Sequence, residues 1–239
     1  MAHKQRVDDQ RSYLLHTYPY SETSLILDVF SRDHGRVPML ARGARRPRAA
    51  LRGVLIGFQP LELGWFGAGE VKTLAKAEWM GGVPLLNGRC LILGYYLNEL
   101  LMKLLPREDS HPVLFDAYEA ALGALAHGAA DAPELRRFEK TLLREIGYGL
   151  SLEEDAEGNA ISADGRYLYL VERGAVEARG DEGVPTIAGQ TLLDMAADDY
   201  SDSRTQAESK ALMRQLMSHH LNGTPLQSRR VFIDLQELQ

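Results

Sequence analysis

The chain has 239 residues, of which 45% are hydrophobic and 25% charged, a composition typical of a folded globular protein and not of a disordered or fibrous chain. The net charge of -6 is unevenly distributed: residues 1–80 carry 12 basic and 8 acidic side chains, and the remainder carries 15 and 25. The single cysteine, Cys90, excludes an internal disulfide and a zinc site built from several thiolates.

The first third of the chain has the period-two alternation and the turn residues of β-strands. Strands are predicted at 12–18, 25–30, 36–41, 60–66 and 71–79. A tight turn is predicted at 31–35, another at 67–69, and a long loop after the third strand. Five short strands in so few residues fit a small closed barrel, because closure removes exposed sheet edges. We therefore predict an OB-fold.

After Gly81-Gly82 the periodicity changes to that of helices, and we place a domain boundary there. Helices are predicted at 85–105, 113–126, 133–146, 192–197, 205–221 and 228–238, with Asp131 as the cap of the third. Residues 153–165 have no period, and 166–172 alternate like a strand. The sequence thus predicts an α+β protein with a five-stranded barrel domain at 1–80, followed by a mainly α-helical domain at 81–239 that contains an irregular insertion at 150–180.

The strongest chemical signal is a run of six arginines without an acidic residue between them. They are Arg36, Arg42, Arg45, Arg46, Arg48 and Arg52. Guanidinium groups bind phosphates in paired geometry and also stack on unpaired bases, so these residues are predicted to bind DNA. The alternative is a solvated loop whose charge serves only solubility.

Aromatic residues also occur among the predicted strands. They are Tyr13, Tyr18, Tyr20, Phe30, Phe58, Trp65 and Phe66. One or two of them are candidates for base stacking. In a small barrel, however, alternate aromatic side chains mostly fill the interior, so the core is the favoured place for any single one.

Sequence motifs of catalysis are mostly absent. There is no Gly-x-x-x-x-Gly-Lys-Ser/Thr phosphate loop and no Gly-x-Ser-x-Gly elbow, and the histidines lack metal-ligand spacing. We expect a binding protein, not an enzyme, without a cofactor. Two alternatives stay open: a metal-dependent nuclease that uses the acidic clusters Asp8-Asp9, 153–155 and Asp198-Asp199, and an adaptor whose arginines bind an acidic protein.

The location follows from what the sequence does not contain. The first eleven residues are charged and lack the apolar run of a signal peptide. The longest apolar stretch, 83–105, is interrupted by polar and charged residues, which suits a buried helix better than a membrane span. We expect a cytoplasmic protein without membrane contact.

Several segments, taken in order, resemble the RecO family of bacterial recombination mediators over nearly the whole chain. In the barrel they are LHTYPYSETSL at 15–25, GRV at 35–37, ARGARR at 41–46 and GEVKTL at 69–74. In the helical part they are YLNELL at 96–101, LRRFE at 135–139 and IGYG at 146–149. The resemblance implies an N-terminal OB-fold followed by a helical domain.

The resemblance also implies a function. Members of the family bind single- and double-stranded DNA, anneal complementary strands, and act with RecR and the single-strand-binding protein to help load the recombinase. Their helical domain binds the acidic, phenylalanine-ending C-terminal tail of the single-strand-binding protein, for which Arg136 and Arg137 are the candidates here. The alternative for these two arginines is contact with helix neighbours such as Glu134 or Lys140. A nucleoid-associated location is implied as well.

One stretch departs from the family pattern. Many members carry a four-cysteine zinc motif just after the Gly-Tyr-Gly signature, whereas this chain reads LSLEEDAEG at 150–158. No metal is therefore expected, and the insertion at 150–180 is interpreted as a degenerate, zinc-free finger.

Overall fold

The computed structural model describes residues 6–129, 133–178, 180 and 185–237. Their contacts form two compact units. Among the described residues, the first unit comprises 6–129 together with 226–237, and the second comprises those from 133 to 225. The predicted division of the chain at residue 80 into a DNA-binding and a helical domain stays a prediction.

The first unit begins with five strands. They are β1 (Arg6–Tyr20), β2 (Ser24–Ser31), β3 (Gly35–Ala41), β4 (Pro60–Phe66) and β5 (Lys72–Trp79), with the short helix α1 (Leu51–Val54) before β4. The strands close into a barrel of order β1-β2-β3-β5-β4, in which only β3 and β5 run parallel. This arrangement is the predicted OB-fold, and the five strands are confirmed.

Side chains that alternate along the strands fill the barrel. Leu27 and Val29 of β2 and Val37 and Met39 of β3 point inward and are almost fully buried. Leu51, Val54 and Leu55, on and beside α1, pack against the same core. The arginine-rich chain between β3 and β4 therefore ends in a helix that is fixed to the barrel.

Helices α2 (Gly88–Leu104) and α3 (Pro112–Ala126) cover part of the outer surface of the barrel. Four aromatic rings meet there: Tyr13 and Phe30 of the barrel contact Phe115 and Tyr118 of α3, with centroids 5.3 to 5.9 Å apart. The Tyr118 hydroxyl donates to Asn98 Oδ1 at 2.6 Å, and Asn98 Nδ2 donates to the carbonyl of Leu15 at 2.9 Å. Burial raises the pKa of Tyr118 well above its ordinary value, as expected for a phenol in an apolar cluster.

Helix α7 (Gln227–Glu237) returns to this unit from the far end of the chain and packs on α2. Its first amides, of Gln227 and Ser228, donate to the carboxylate of Glu99 at 2.9 and 3.0 Å, and the Ser228 hydroxyl donates at 2.8 Å. Burial alone raises the pKa of Glu99, but these hydrogen bonds and Lys103 outweigh burial and lower it. A carboxylate at a helix N-terminus satisfies amides that the helix itself leaves unpaired.

The second unit contains the remaining elements. They are α4 (Pro133–Glu145), β6 (Arg166–Leu170), β7 (Gly174–Glu177), β8 (Ile187–Ala188), α5 (Gly189–Ala196) and α6 (Ser203–His220). The three strands form a small sheet of order β7-β6-β8. Leu135, Phe138 and Leu142 lie on the buried face of α4, as their spacing predicts.

The predicted helices are present within a few residues, and the differences have local causes. Strand β1 begins at Arg6, before the predicted start, because its first residues pair with β4 through the backbone. These residues are polar and show no apolar alternation, so the sequence pattern does not indicate a strand there. Helix α1 and strands β7 and β8 were not predicted, since each is only two to four residues long. The predicted cap Asp131 and the predicted helix end at residue 238 lie outside the described residues.

Candidate nucleic-acid interface

The segment 42–52, here called the basic segment, follows β3 and is held in a defined conformation. Its Ala44 is buried in the barrel core. The Arg45 amide donates to the carbonyl of Thr23 at 2.9 Å, and the Arg45 guanidinium donates to the carbonyl of Ser21 at 2.9 Å. Both acceptors lie at or beside the β1–β2 turn, so the basic segment is tied to that end of the barrel.

Five arginines of the basic segment are exposed: Arg42, Arg45, Arg46, Arg48 and Arg52. Within the part of the chain that the structure describes, none of their guanidinium groups pairs with a carboxylate. A concavity of about 650 Å³ is lined by Arg42, Gly43, Arg46, Pro47, Arg48, Ala49, Ala50 and Leu51. Cations without counter-ions around an accessible depression are suited to bind phosphates.

Gly43 shapes this depression. Its φ of +71° lies in the left-handed region, and a Cβ built there would come within 3.5 Å of Arg46 Nε. Glycine therefore permits the turn after β3, and the Arg46 side chain lies at ordinary contact distance from this position.

Arg36 lies elsewhere. Its side chain points to the outer face of the barrel that α2 covers, and the residue is only 9% exposed. The guanidinium pairs with Asp28 at 3.0 Å and donates to the carbonyls of Leu101, Met102 and Leu105 at the end of α2. Because its hydrogen-bond donors are used inside the protein, Arg36 is not part of the candidate interface, contrary to the sequence-based expectation.

Two of the predicted aromatic candidates are exposed. Tyr18 and Tyr20 of β1 alternate with His16 on one side of the strand, and the His16 and Tyr18 rings lie 4.5 Å apart. They end at the β1–β2 turn, to which Arg45 is bonded. In contrast, Tyr13, Phe30, Phe58 and Trp65 are buried. Trp65 fills the barrel interior as predicted, whereas the other three rings lie outside the barrel core and pack against α2 or α3. The reasoning from sequence missed His16, although its spacing of two from Tyr18 would have placed it on the same face.

The two arginines of α4 in the second unit make local contacts. Arg136 donates to Glu139 at 2.8 Å, and Arg137 donates to Glu134 at 2.8 Å and to the carbonyl of Asp198 at 2.8 Å. The Arg137 guanidinium also lies 5.8 Å from the ring centroid of Tyr200. Arg137 is the more exposed of the two side chains.

The acidic clusters are engaged within the protein. Asp9 pairs with Lys76 at 3.0 Å, and Asp198 pairs with Lys140. Asp155 accepts from the side chain and amide of Asn159, which hold its pKa below the ordinary value. Among the described residues, no group of three His, Cys, Asp or Glu side chains is placed to hold a metal ion. Within the same residues, no helix is long and apolar enough to cross a membrane.

Comparisons with known proteins match one protein family in both the N-terminal and the C-terminal part of the chain. The family description "Recombination protein O N terminal" matches residues 7–83, and "Recombination protein O C terminal" matches residues 87–230. The chain is 57% identical over 240 residues to a protein of Aromatoleum aromaticum named DNA repair protein RecO, with 100% of each chain covered. It is 56% identical to the protein of that name from an Azoarcus species, again with 100% of each covered. The one from Dechloromonas aromatica is 55% identical, covering 98% of this chain and 99% of the relative.

Proposed function

Because the chain belongs to the RecO family of DNA repair proteins, we propose that its barrel binds single- and double-stranded DNA and promotes annealing of complementary strands. The observation that carries this proposal is the set of five exposed arginines on a backbone tied to the barrel, next to exposed tyrosines. In the cell, the bound DNA would be coated by single-strand-binding protein, and RecR would assist in loading the recombinase.

The proposed mechanism has no covalent step. Two DNA strands repel each other through their phosphates, and this repulsion opposes pairing. Guanidinium groups that cover the phosphates of one strand release its condensed counterions and lower that repulsion. Tyr18 and Tyr20 supply flat surfaces for unpaired bases, which keeps those bases available to a second strand.

Replacing Arg45, Arg46 and Arg48 together by alanine tests the proposal. If all three contact phosphates, the slope of log affinity against log salt on single strands should become less negative by about 2, since each contact contributes roughly 0.7. Affinity at low salt should fall by on the order of tenfold or more. Titration of a labelled oligonucleotide at several salt concentrations measures both quantities, and a strand-annealing assay should show the same loss.

A matched control removes equal charge from the second unit. Arg173, Arg204 and Arg214 are exposed there, and their triple alanine variant should bind DNA like the wild type. Equal binding by the wild type and the Arg45/Arg46/Arg48 variant would contradict the proposal and favour an adaptor for an acidic protein. Loss of full-length labelled DNA that depends on Mg²⁺ would instead establish a nuclease.

We further propose that Arg137 binds the carboxylates of the acidic, phenylalanine-ending tail of the single-strand-binding protein, with Arg136 supporting it. Arg137 is partly exposed, and its present partner Glu134 is a surface carboxylate that a peptide can replace. Arg137→Ala should weaken binding of a labelled tail peptide about tenfold, as measured by anisotropy. Arg144→Ala, at an exposed position on the same helix, is the control and should bind like the wild type. Unchanged binding by Arg137→Ala would refute this role.

A further inference from the structure

The first unit exposes two large aromatic rings that the proposed interface does not use. Trp79, the last residue of β5, is 55% exposed, and Tyr95 of α2 is 52% exposed. Met80 and Leu85, on the segment between β5 and α2, are exposed as well. Large exposed apolar side chains that are close in the fold are candidates for binding a ligand or partner.

Both rings are held by the consecutive buried residues Phe58 and Gln59. The indole N–H of Trp79 donates to Gln59 Oε1 at 3.2 Å. The Tyr95 ring packs edge-on against Phe58, with centroids 5.0 Å apart and an interplanar angle of 78°. The two exposed rings therefore share one support and have defined orientations, which lowers the entropy lost when a ligand binds.

The support itself has an unusual backbone. Phe58 has a φ of +63°, in the left-handed region that a bulky residue rarely adopts. Such conformations persist where the surrounding structure fixes them, and they are frequent at ligand sites. Here the left-handed turn accompanies a buried Phe58 ring that faces α2, with Gln59 placed beneath Trp79.

The basic segment precedes the residues that support these rings in the chain. It begins at the β1–β2 turn, beside Tyr20, and it ends in α1, which carries the exposed Arg52. Helix α1 contacts β5, the strand that ends in Trp79, and the chain reaches Phe58 four residues after α1. The arginines without counter-ions therefore lie on the segment of chain that connects the β1–β2 turn to the residues supporting Trp79 and Tyr95.

We infer that Trp79 and Tyr95 form a second stacking site, which binds unpaired bases of a DNA strand held by the basic segment. This inference rests on the proposed function and adds a preference for single strands. Aromatic rings stack on unpaired bases of any sequence, whereas the bases of a duplex are already stacked on each other. A protein ligand would use the apolar surface but would not need the arginines without counter-ions on the segment that leads to it, so the charge favours a nucleic acid.

Three probes of equal length separate stacking from charge: a dT 20-mer, an abasic 20-mer and a 20-base-pair duplex. The wild type should bind the dT 20-mer more tightly than the abasic one. The double variant Trp79→Ala/Tyr95→Ala should lose on the order of tenfold in affinity for the dT 20-mer and little for the other two. Tyr148→Ala removes an equally exposed ring from the second unit and should have no effect.

Tryptophan fluorescence gives a second readout that does not depend on a destabilised variant. The chain has two tryptophans, of which Trp65 is buried in the barrel and only Trp79 is accessible to a base. The dT 20-mer should quench the wild-type emission, whereas the abasic 20-mer should not. Trp79→Phe, which keeps an aromatic ring, should abolish the quenching.

The outcomes separate this inference from the proposed function. Equal affinity for the dT and abasic 20-mers, with no quenching, would overturn the stacking site and leave DNA binding by the arginines intact. A double variant whose preference for the dT over the abasic 20-mer is as large as that of the wild type would also overturn it, since Tyr18 and Tyr20 would then account for all of the stacking. Failure of all three probes to bind the wild type would refute the proposed function and this inference together.

Discussion

Replacing Phe115 by alanine is expected to lower the free energy of unfolding by about 3–5 kcal/mol, the usual cost of removing a fully buried phenylalanine. The Phe115 ring is completely buried between Tyr13 and Phe30 of the barrel. Its loss removes dispersion contacts and leaves a cavity that the rigid strands cannot close. Urea unfolding, followed by circular dichroism and by tryptophan fluorescence, measures the change.

The fluorescence signal also tests the domain boundary predicted at residue 80. Trp65 lies in the barrel, whereas Phe115 lies in α3. If the barrel and α3 unfold as one cooperative unit, Phe115→Ala should lower the midpoint of the Trp65 transition as well. An unchanged fluorescence midpoint would mean that the barrel unfolds independently. Val113→Ala, at an exposed position of the same helix, is the control and should change little.

Asp28→Ala is the second substitution with a large expected effect, a loss of about 3–5 kcal/mol in the free energy of unfolding. Asp28 is nearly buried, and its carboxylate is the counter-ion of the buried Arg36 guanidinium. Removal leaves a buried cation with carbonyl acceptors but without an opposite charge. Urea unfolding measures the loss, and Asp116→Ala, which breaks a surface ion pair with Arg32, should have a much smaller effect.

The same ion pair distinguishes a structural arginine from the arginines that we propose to bind DNA. Arg36→Ala should destabilise the protein, while the salt dependence of DNA binding by its folded fraction should match the wild type. The arginines of the basic segment should behave in the opposite way, since their guanidinium groups are exposed. If Arg36→Ala changed the slope of log affinity against log salt concentration, Arg36 would contact DNA after all.

Local periodicity is sufficient to predict the barrel strands and the longer helices, because each depends on neighbouring residues. Arg36 was misplaced because its surroundings depend on α2, more than sixty residues further along the chain. One signal was present: Asp28 interrupts an otherwise apolar strand, and an acid in such a place usually has a buried partner. Such an acid indicates a charged pair, and Arg36 lies on the neighbouring strand of the β2–β3 hairpin.

The exposed aromatic residues show a second limit of sequence reasoning. Tyr18 and Tyr20 have the same alternation as core residues, and only closure of the barrel decides which side faces solvent. Trp79 and Tyr95 belong to different predicted domains, and only the packing of Phe58 and Gln59 brings them to one support. No pattern within a single segment contains that information.

The return of α7 to the first unit affects the order in which the protein is completed during translation. The second unit is inserted between α3 and α7, so the ribosome must synthesise it before the last helix of the first unit exists. Until then, Glu99 lacks the amides of Gln227 and Ser228 that it accepts from in the finished protein. The N-terminal unit therefore cannot complete its packing until residues 226–237 have been synthesised, although most of its residues leave the ribosome first.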